Sequence, residues 1–343
     1  MRKLFRPVLL SLVLALVLVA GCGTASPAPA PQGGAAPAAP PKEAVKVTFR
    51  TDAAAAGYDA PFAVALKKGY YTDEGLDVSI GEGKGSATTV QLVANGSETF
   101  GWADFGTAMQ YIAKGAPIKA VAVVSQSNPL AVVSHAEDNI KQPKDLEGKT
   151  VGVVAGGADG QLIGPFLEAT KVDKSKVKVV NVDISAKTQV FMDKKVDAIL
   201  AWVTFQVPQL EAKGIKLNSM PLANVGLNTL NLAIFANNDT IKNKPDVVQR
   251  FVRASLKGWT YTVDHQDEAI DLLAQLFPTL DKTIAKGQLT NQIPLFHTAQ
   301  TKDKPLGWVA PEDVKSSEDI LAQYAGLPKL GTPDTYYTNQ FVQ

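Results

Sequence analysis

From Val45 onward, short apolar runs alternate with segments whose apolar residues recur at helical spacing, the pattern of an α/β fold with parallel strands. "VKVTFR" (45–50) predicts a first strand. "DAPFAVALKKG" predicts a helix with Asp59 as N-cap, Pro61 in the first turn and Gly69 at its end. "LDVSI" (76–80), "TFGWADF" (99–105) and "IKAVAVVSQS" (118–127) predict further strands, with helices over "SATTVQLVANG" and "GTAMQYIAKG" between them. The pattern then restarts at "LAVVSHAEDN", runs through a Gly156-Gly157 pair ahead of a helix, through "VKVVNVD" and "VDAILAW", and closes near "LNLAIFANND" (230–239). Beyond that the chain is mostly helical. Two α/β units and a helical return predict two lobes joined by crossings near 126–130 and 235–240. Residues 45–126 and 240–343 fall in lobe 1 and residues 127–239 in lobe 2.

The first residues follow a different pattern. Arg2, Lys3 and Arg6 precede an apolar run from Val8 to Ala20 broken only by Ser11, and Val19-Ala20-Gly21-Cys22 matches a bacterial lipobox. A signal peptide over 1–21 and a lipidated thiol on Cys22 are therefore expected. The run is too short to span a bilayer, which takes roughly 20 apolar residues. Cys22 is the only cysteine of 343 residues, so disulfides and thiolate metal sites are excluded. Residues 22–44, nearly all Ala, Pro, Gly and Ser, have a composition that cannot bury a core and predict a solvated tether.

Charge narrows the partners. Removing Arg2, Lys3 and Arg6 leaves 34 − 3 = 31 basic against 33 acidic residues, a net charge of 31 − 33 = −2. With no basic patch, a nucleic-acid partner is not expected.

"GYDAPFAVALKKGYYTDEGLDVSI" followed by "GSATTVQLVANGSETFGWADFGT" resembles the periplasmic solute-binding proteins of ABC importers, in the branch that includes the sulfonate, nitrate and thiamine-pyrimidine binders. "DLEGKTVGV", "VDAILAW" and "KPDVVQRFVRA" are similar to later landmarks of the same family, in the same order. The resemblance implies a two-lobed type II periplasmic-binding-protein fold, each lobe a mixed, mostly parallel sheet flanked by helices. It also implies a monomer outside the cytoplasm that closes on a small molecule and passes it to a permease and its ATPase, with no cofactor. A sensor lobe reporting to a receptor shares the fold.

The stretch "GEGKGSATTVQLVANG" (81–96) invites comparison with phosphate cradles. A P-loop needs lysine directly before its hydroxyl residue, and here Gly85 separates Lys84 from Ser86; a dinucleotide fingerprint needs G-x-G-x-x-G, and this is G-x-G-x-G after the second strand. Two readings remain: Gly81, Gly83 and Gly85 place a helix N-terminus against an anion or a polar ring edge, or they only shape a turn.

In an open α/β sheet the ligand lies beyond the carboxyl ends of the strands. Those junctions nominate Asp52, Tyr58, Ser86, Ala87, Thr88, Trp102, Asp104, Ser125 and Gln126 from the first unit. From the second come Gly156, Gly157, Asp159, Trp202, Thr204 and Asn228. Trp102 and Trp202 fall at equivalent strand ends, where they sandwich a flat ring or belong to the two cores. Asp104 receives a ring N–H or caps the helix that follows. Tyr70 and Tyr71 are expected to pack helix against sheet.

His135, His265 and His297 are far apart with no metal-ligand partner at helical spacing, and no G-x-S-x-G elbow occurs. The family's eukaryotic relatives include a pyrimidine-synthesising enzyme that uses iron and a cysteine-rich segment. With Cys22 lipidated, no thiol remains in this fold, so an enzyme is not expected. Asp104 opposes a sulfonate or nitrate, and with Tyr58, Trp102 and Trp202 it favours a flat nitrogen-bearing ring, such as a thiamine-type pyrimidine precursor. The alternative is taurine, an alkanesulfonate, nitrate or a similar anion. The thiamine-pyrimidine binders typically carry D-W-x-P-N-x-x-H after strand one, and "TDAAAAGYDAP" keeps only Asp52 of it.

Overall fold

The first strand, β1 (Val45–Arg50), turns Val47 and Phe49 into the core and Lys46 and Thr48 outward, the period-2 alternation of a half-covered strand. The computed structural model describes residues 44–154, 158–183 and 186–342. After β1 come α1 (Ala60–Lys67), with Pro61 in its first turn, and α2 (Tyr70–Asp73), preceded by Gly69 at φ 77°. Next are β2 (Leu76–Gly81), α3 (Ser86–Ala94), β3 (Phe100–Asp104), α4 (Phe105–Ile112) and β4 (Ile118–Val123). The chain then crosses to β5 (Leu130–His135), β6 (Thr150–Val153), α5 (Ala158–Ala169), β7 (Lys178–Asn181), α6 (Lys187–Met192), β8 (Ala198–Trp202), α7 (Gln206–Glu211) and β9 (Leu217–Pro221). It returns as β10 (Leu232–Asn237) and ends in α8 (Asn238–Asn243), α9 (Pro245–Asp264), α10 (Gln266–Leu276), α11 (Lys282–Gln292) and α12 (Pro311–Ala325).

The strands form two five-stranded sheets of the same plan, β2-β1-β3-β10-β4 and β7-β6-β8-β5-β9. In each, four strands share a direction and one runs against them: β10 in the first, β5 in the second. Each reversed strand is the one by which the chain arrives from the other lobe. That places both sets of strand carboxyl ends toward the junction between the lobes.

One boundary differs from the sequence pattern. Leu232–Asn237 lies in the first sheet, between β3 and β4, and not at the end of lobe 2. Its five leading residues, Leu232 to Ala236, are all buried, as a strand covered on both faces requires. The return crossing is therefore the segment 226–231, and the predicted strand 118–127 stops at Val123 because residues 124–129 form the outward crossing. The crossings are laced together: Asn128 N–H donates to Asn228 Oδ1 at 2.7 Å, and Asn231 N–H to Ser125 O at 2.9 Å.

The core of lobe 1 is aromatic. Phe49, Phe62, Phe100, Trp102, Phe251 and Trp259 are all fully buried between the sheet and helices α1 and α9, with Phe100 and Phe251 stacked at 4.1 Å. Each buried side chain of this size contributes about 1.5–3 kcal/mol. Tyr71 stacks on Phe251 and its hydroxyl meets Ser255 at 2.9 Å, so it packs helix against core. Tyr70 packs at the edge of the same cluster. The two last long helices span both lobes: α11 lies against α7, and α12 against both α4 and α5.

Candidate functional site

At the end of β1, the turn carrying Asp52 and the glycine-rich turn after β2 are bonded to each other. Gly83 N–H donates to Ala53 O (3.0 Å) and Thr51 Oγ1 (3.1 Å), and Gly85 N–H donates to Asp52 O (2.7 Å). A Cβ on Gly83 would stand 2.1 Å from Thr51 O, and Gly85 has φ 108°, so both positions require glycine. The amides of Gly83 and Gly85 are thereby consumed in shaping a turn. Ser86 Oγ accepts from Asp104 N–H at 3.0 Å and ties α3 to the end of β3, while Ala87 and Thr88 are exposed.

Three carboxyl groups gather on the lobe 1 side. Burial pushes Asp52 up to about 7, helped by the charge of Asp104 and opposed by backbone N–H groups of Ala53 and of its own residue. Burial also raises Asp59 well above the ordinary range, with Asp52 adding to the effect, and raises the Tyr58 hydroxyl between them. Asp104 is raised by burial in spite of the hydrogen bonds it receives. Those bonds come from Thr107 N–H (2.6 Å) and Thr107 Oγ1 (2.8 Å) to Oδ1, and from Asn231 Nδ2 (3.0 Å) to Oδ2. Asp104 thus caps α4 and also lines the space between the lobes. Close carboxyls in a desolvated site share protons and titrate as a group.

Between the lobes lies a cavity of about 240 Å³, lined by Asp104 and Thr107 from lobe 1, Asn231 from the return crossing, Gln161 and Trp202 from lobe 2, and Tyr324 from α12. Trp202 is half-buried, its backbone N–H donating to Gln206 Oε1 at 2.8 Å. Trp102 does not face it across the gap: it is fully enclosed, 5.2 Å from Phe62 and 5.5 Å from Trp259 between ring centroids. The strand register gives the reason. Asp104 pairs with Leu232, the first residue of β10, and Trp202 pairs with Leu130, the first residue of β5. The partner of Trp202 by symmetry is therefore Asp104, and Trp102 corresponds to Leu200, two residues inside the strand.

Other candidates have structural partners. Gln126 is fully buried, donating from Nε2 to Val123 O and Trp308 O and accepting from Thr301 Oγ1, and Asn228 holds the crossings together. Asp159 and Lys187 form a buried ion pair at 2.9 Å, and Lys187 also donates to Leu200 O. Thr204 is buried, and Ser125 is buried with no hydrogen-bond partner for Oγ among the described residues. Gly156, Gly157 and Cys22 lie outside the described residues. Sequence reasoning missed Asp59, named only as a helix cap, along with Asn231, Gln292 and Trp259. The nearest signal was Asn231, which opens the run "NLAIFAN" at a strand end.

The histidines do not converge. His135 stacks on Phe191 and donates from Nε2 to its carbonyl (3.0 Å), while His265 and His297 bond to Tyr261 O and Thr301 O. Arg50 is tied to Glu98 and to Glu82 O. Lys187 is paired as well, and Lys84 is exposed.

Two similar lobes with a shared junction, two crossings and side chains converging from opposing strand ends define the architecture of the periplasmic binding proteins. The chain belongs to the NMT1/THI5-like family, whose model matches residues 57–269. It is 26% identical over 322 residues, 90% of each chain, to the riboflavin-binding protein RibY of Chloroflexus aurantiacus. It is 24% identical over 242 residues to a 4-amino-5-hydroxymethyl-2-methylpyrimidine phosphate synthase of Legionella pneumophila, covering 70% of this chain and 76% of the synthase. Among solved structures it resembles the periplasmic aliphatic sulphonate binding protein SsuA of Escherichia coli, with a TM-score of 0.65, 16% identity, and 84% and 89% of the two chains covered.

Proposed function

We propose that this protein is the lipid-anchored, extracytoplasmic substrate-binding component of an ABC importer, and that it captures a flat, nitrogen-bearing heteroaromatic molecule between its lobes for delivery to a permease. The observation that carries the reading is the pairing of Asp104 with Trp202 across one interlobe cavity, with Asn231 held against the carboxylate. A ring laid on the indole gains stacking energy of about 0.5–1.5 kcal/mol beyond its buried area. Its N–H or amino group finds the Asp104 carboxyl to receive it. An anion finds the Asp104 carboxyl in the cavity wall, while Lys187 and Arg50 are already paired with Asp159 and Glu98.

The name of the riboflavin-binding relative supports a ring ligand, and the pyrimidine synthase shows that enzymes occur among the relatives. Binding without turnover is the reading here, because the only thiol of the chain is Cys22 in the lipobox and the three histidines do not converge. The test is a thermal-shift screen with aminopyrimidines, riboflavin, taurine and nitrate, followed by recovery of the stabilising compound after prolonged incubation. Stabilisation with the compound recovered unchanged is expected, and its consumption would move the protein to the enzymes. The anchor has its own test: a Cys22→Ala chain that still fractionates with membranes as the wild type does would remove it from the proposal.

A further inference from the structure

A buried primary amide is expensive to leave without partners, because both its N–H donors and its carbonyl acceptor have been taken out of water. Gln292, at the end of α11, is fully buried, and neither Nε2 nor Oε1 has a hydrogen-bond partner among the described residues. One turn earlier the same helix carries Gln288, whose Oε1 accepts from Gly57 N–H at 2.8 Å. The helix is thus tied down by one glutamine and holds the next one unpaired. Unpaired buried groups that persist in a fold mark a place where something other than packing sets the residue.

The surroundings of Gln292 locate it at the meeting point of the two lobes and the outward crossing. Asn291 Nδ2, one residue before it, donates to Val203 O at 2.8 Å, next to Trp202 on lobe 2. Leu295 O, three residues after it, accepts from Gln126 N–H of the crossing at 2.7 Å. The following residue, Ile293, packs on the cluster that holds Tyr58, Trp102 and Trp259, and Trp259 meets Phe296 edge-on at 5.1 Å. Most of the other unpaired buried atoms belong to this region: Oδ1 of Asp52 and of Asp59, Nε1 of Trp102 and of Trp259, and Oγ of Ser125. Gly57 brings the Asp59 turn against α11 so closely that a Cβ there would stand 1.7 Å from Ala285 O. On its other side α11 meets lobe 2, through Asn291 to Val203 O and Gly287 against Pro208.

We infer that Gln292, which does not line the 240 Å³ cavity beside Asp104 and Trp202, is a specificity residue on a deeper face of the ligand site, its planar amide pairing with a ring edge that carries a hydrogen-bond acceptor and a donor side by side, as in N=C–NH2 or O=C–NH. A glutamine amide reads such an edge in adenine by the same two-bond geometry. A sulfonate or nitrate offers acceptors alone and leaves Oε1 unpaired. The inference rests on the reading of the ligand as a nitrogen-bearing ring and adds which edge of the ring is recognised and by which residue.

The experiment uses the chain from residue 23 onward and two probe pairs: 4-amino-2-methylpyrimidine with its 4-dimethylamino analogue, and lumiflavin with 3-methyl-lumiflavin. In each pair the second member lacks the edge donor. The wild type is expected to prefer the unmethylated member of at least one pair by roughly 10- to 100-fold, the discrimination of a two-bond contact. Gln292→Leu is expected to abolish that preference while its melting temperature stays level or rises, because an amide without partners is replaced by an apolar group of similar size. Binding of methylated and unmethylated rings alike by the wild type keeps the ring ligand and overturns the role of Gln292. Retained discrimination in Gln292→Leu does the same. Binding of no ring by the wild type overturns both readings.

Discussion

Replacing Asp52 by Asn should stabilise the protein at high pH and do almost nothing at low pH. Burial raises the folded-state pKa of Asp52 from 3.8 to about 7. A raised pKa means that the folded protein holds the proton more tightly than the unfolded chain. The associated stability is fully present below pH 3.8 and is lost as pH rises through 7. The shift is 7 − 3.8, about 3 units, and at 1.36 kcal/mol per unit the burial of the ionised group costs on the order of 4 kcal/mol above pH 7. Asparagine has nearly the same shape and stays neutral throughout. Because Asp59 and Asp104 act on Asp52 in the same electrostatic group, their titrations shift together, and the measured steps belong to the group. Urea denaturation of Asp52→Asn and wild type at pH 4, 6 and 8 reads the difference directly. The expected result is two chains of equal stability at pH 4 and a variant more stable by a few kcal/mol at pH 8. A difference that stays constant across this range would refute the reasoning.

Two further outcomes follow from the packing. Lys187→Met leaves Asp159 buried without its partner and should lower stability by about 3–5 kcal/mol in urea denaturation, whereas Lys187→Met with Asp159→Leu should recover most of the loss; a single variant as stable as the wild type would contradict the burial of the pair. Trp102→Ala should cost about 3–5 kcal/mol of stability as a cavity in the lobe 1 core. Trp202→Ala, at a half-buried position, should cost far less, and the reverse order would restore Trp102 to the cleft.

The alternation of strands and helices in the sequence was sufficient to locate β1 to β4 and the helices α1, α3 and α4, since Val47 and Phe49 against Lys46 and Thr48, or Pro61 and Gly69 around α1, are local signals. The placement of β10 was not local. "LAIFA" is equally apolar in either sheet, and only the pairing with β3 and β4 decides which one it joins. The same non-locality misled the reading of the tryptophans. Counting along the chain made Trp102 and Trp202 equivalent, whereas register makes Asp104 the counterpart of Trp202, because "FGWAD" extends two residues past its tryptophan. Gln126 and Asn228 were legible as polar residues at the crossings, but their bonds run between segments 175 and 100 residues apart. Gln292 was invisible for a related reason: an exposed glutamine and a buried one at a helix end look alike until the helix is packed.

The most direct measurement is calorimetric titration of the chain from residue 23 onward, and of its Trp202→Ala and Asp104→Asn variants, with riboflavin, an aminopyrimidine and an alkanesulfonate. A ring held between Trp202 and Asp104 should bind the wild type with one-to-one stoichiometry. It should lose at least tenfold in affinity in each variant, while the sulfonate should not bind. Tight binding of the alkanesulfonate, indifferent to both substitutions, would contradict a site built to hold a nitrogen-bearing ring.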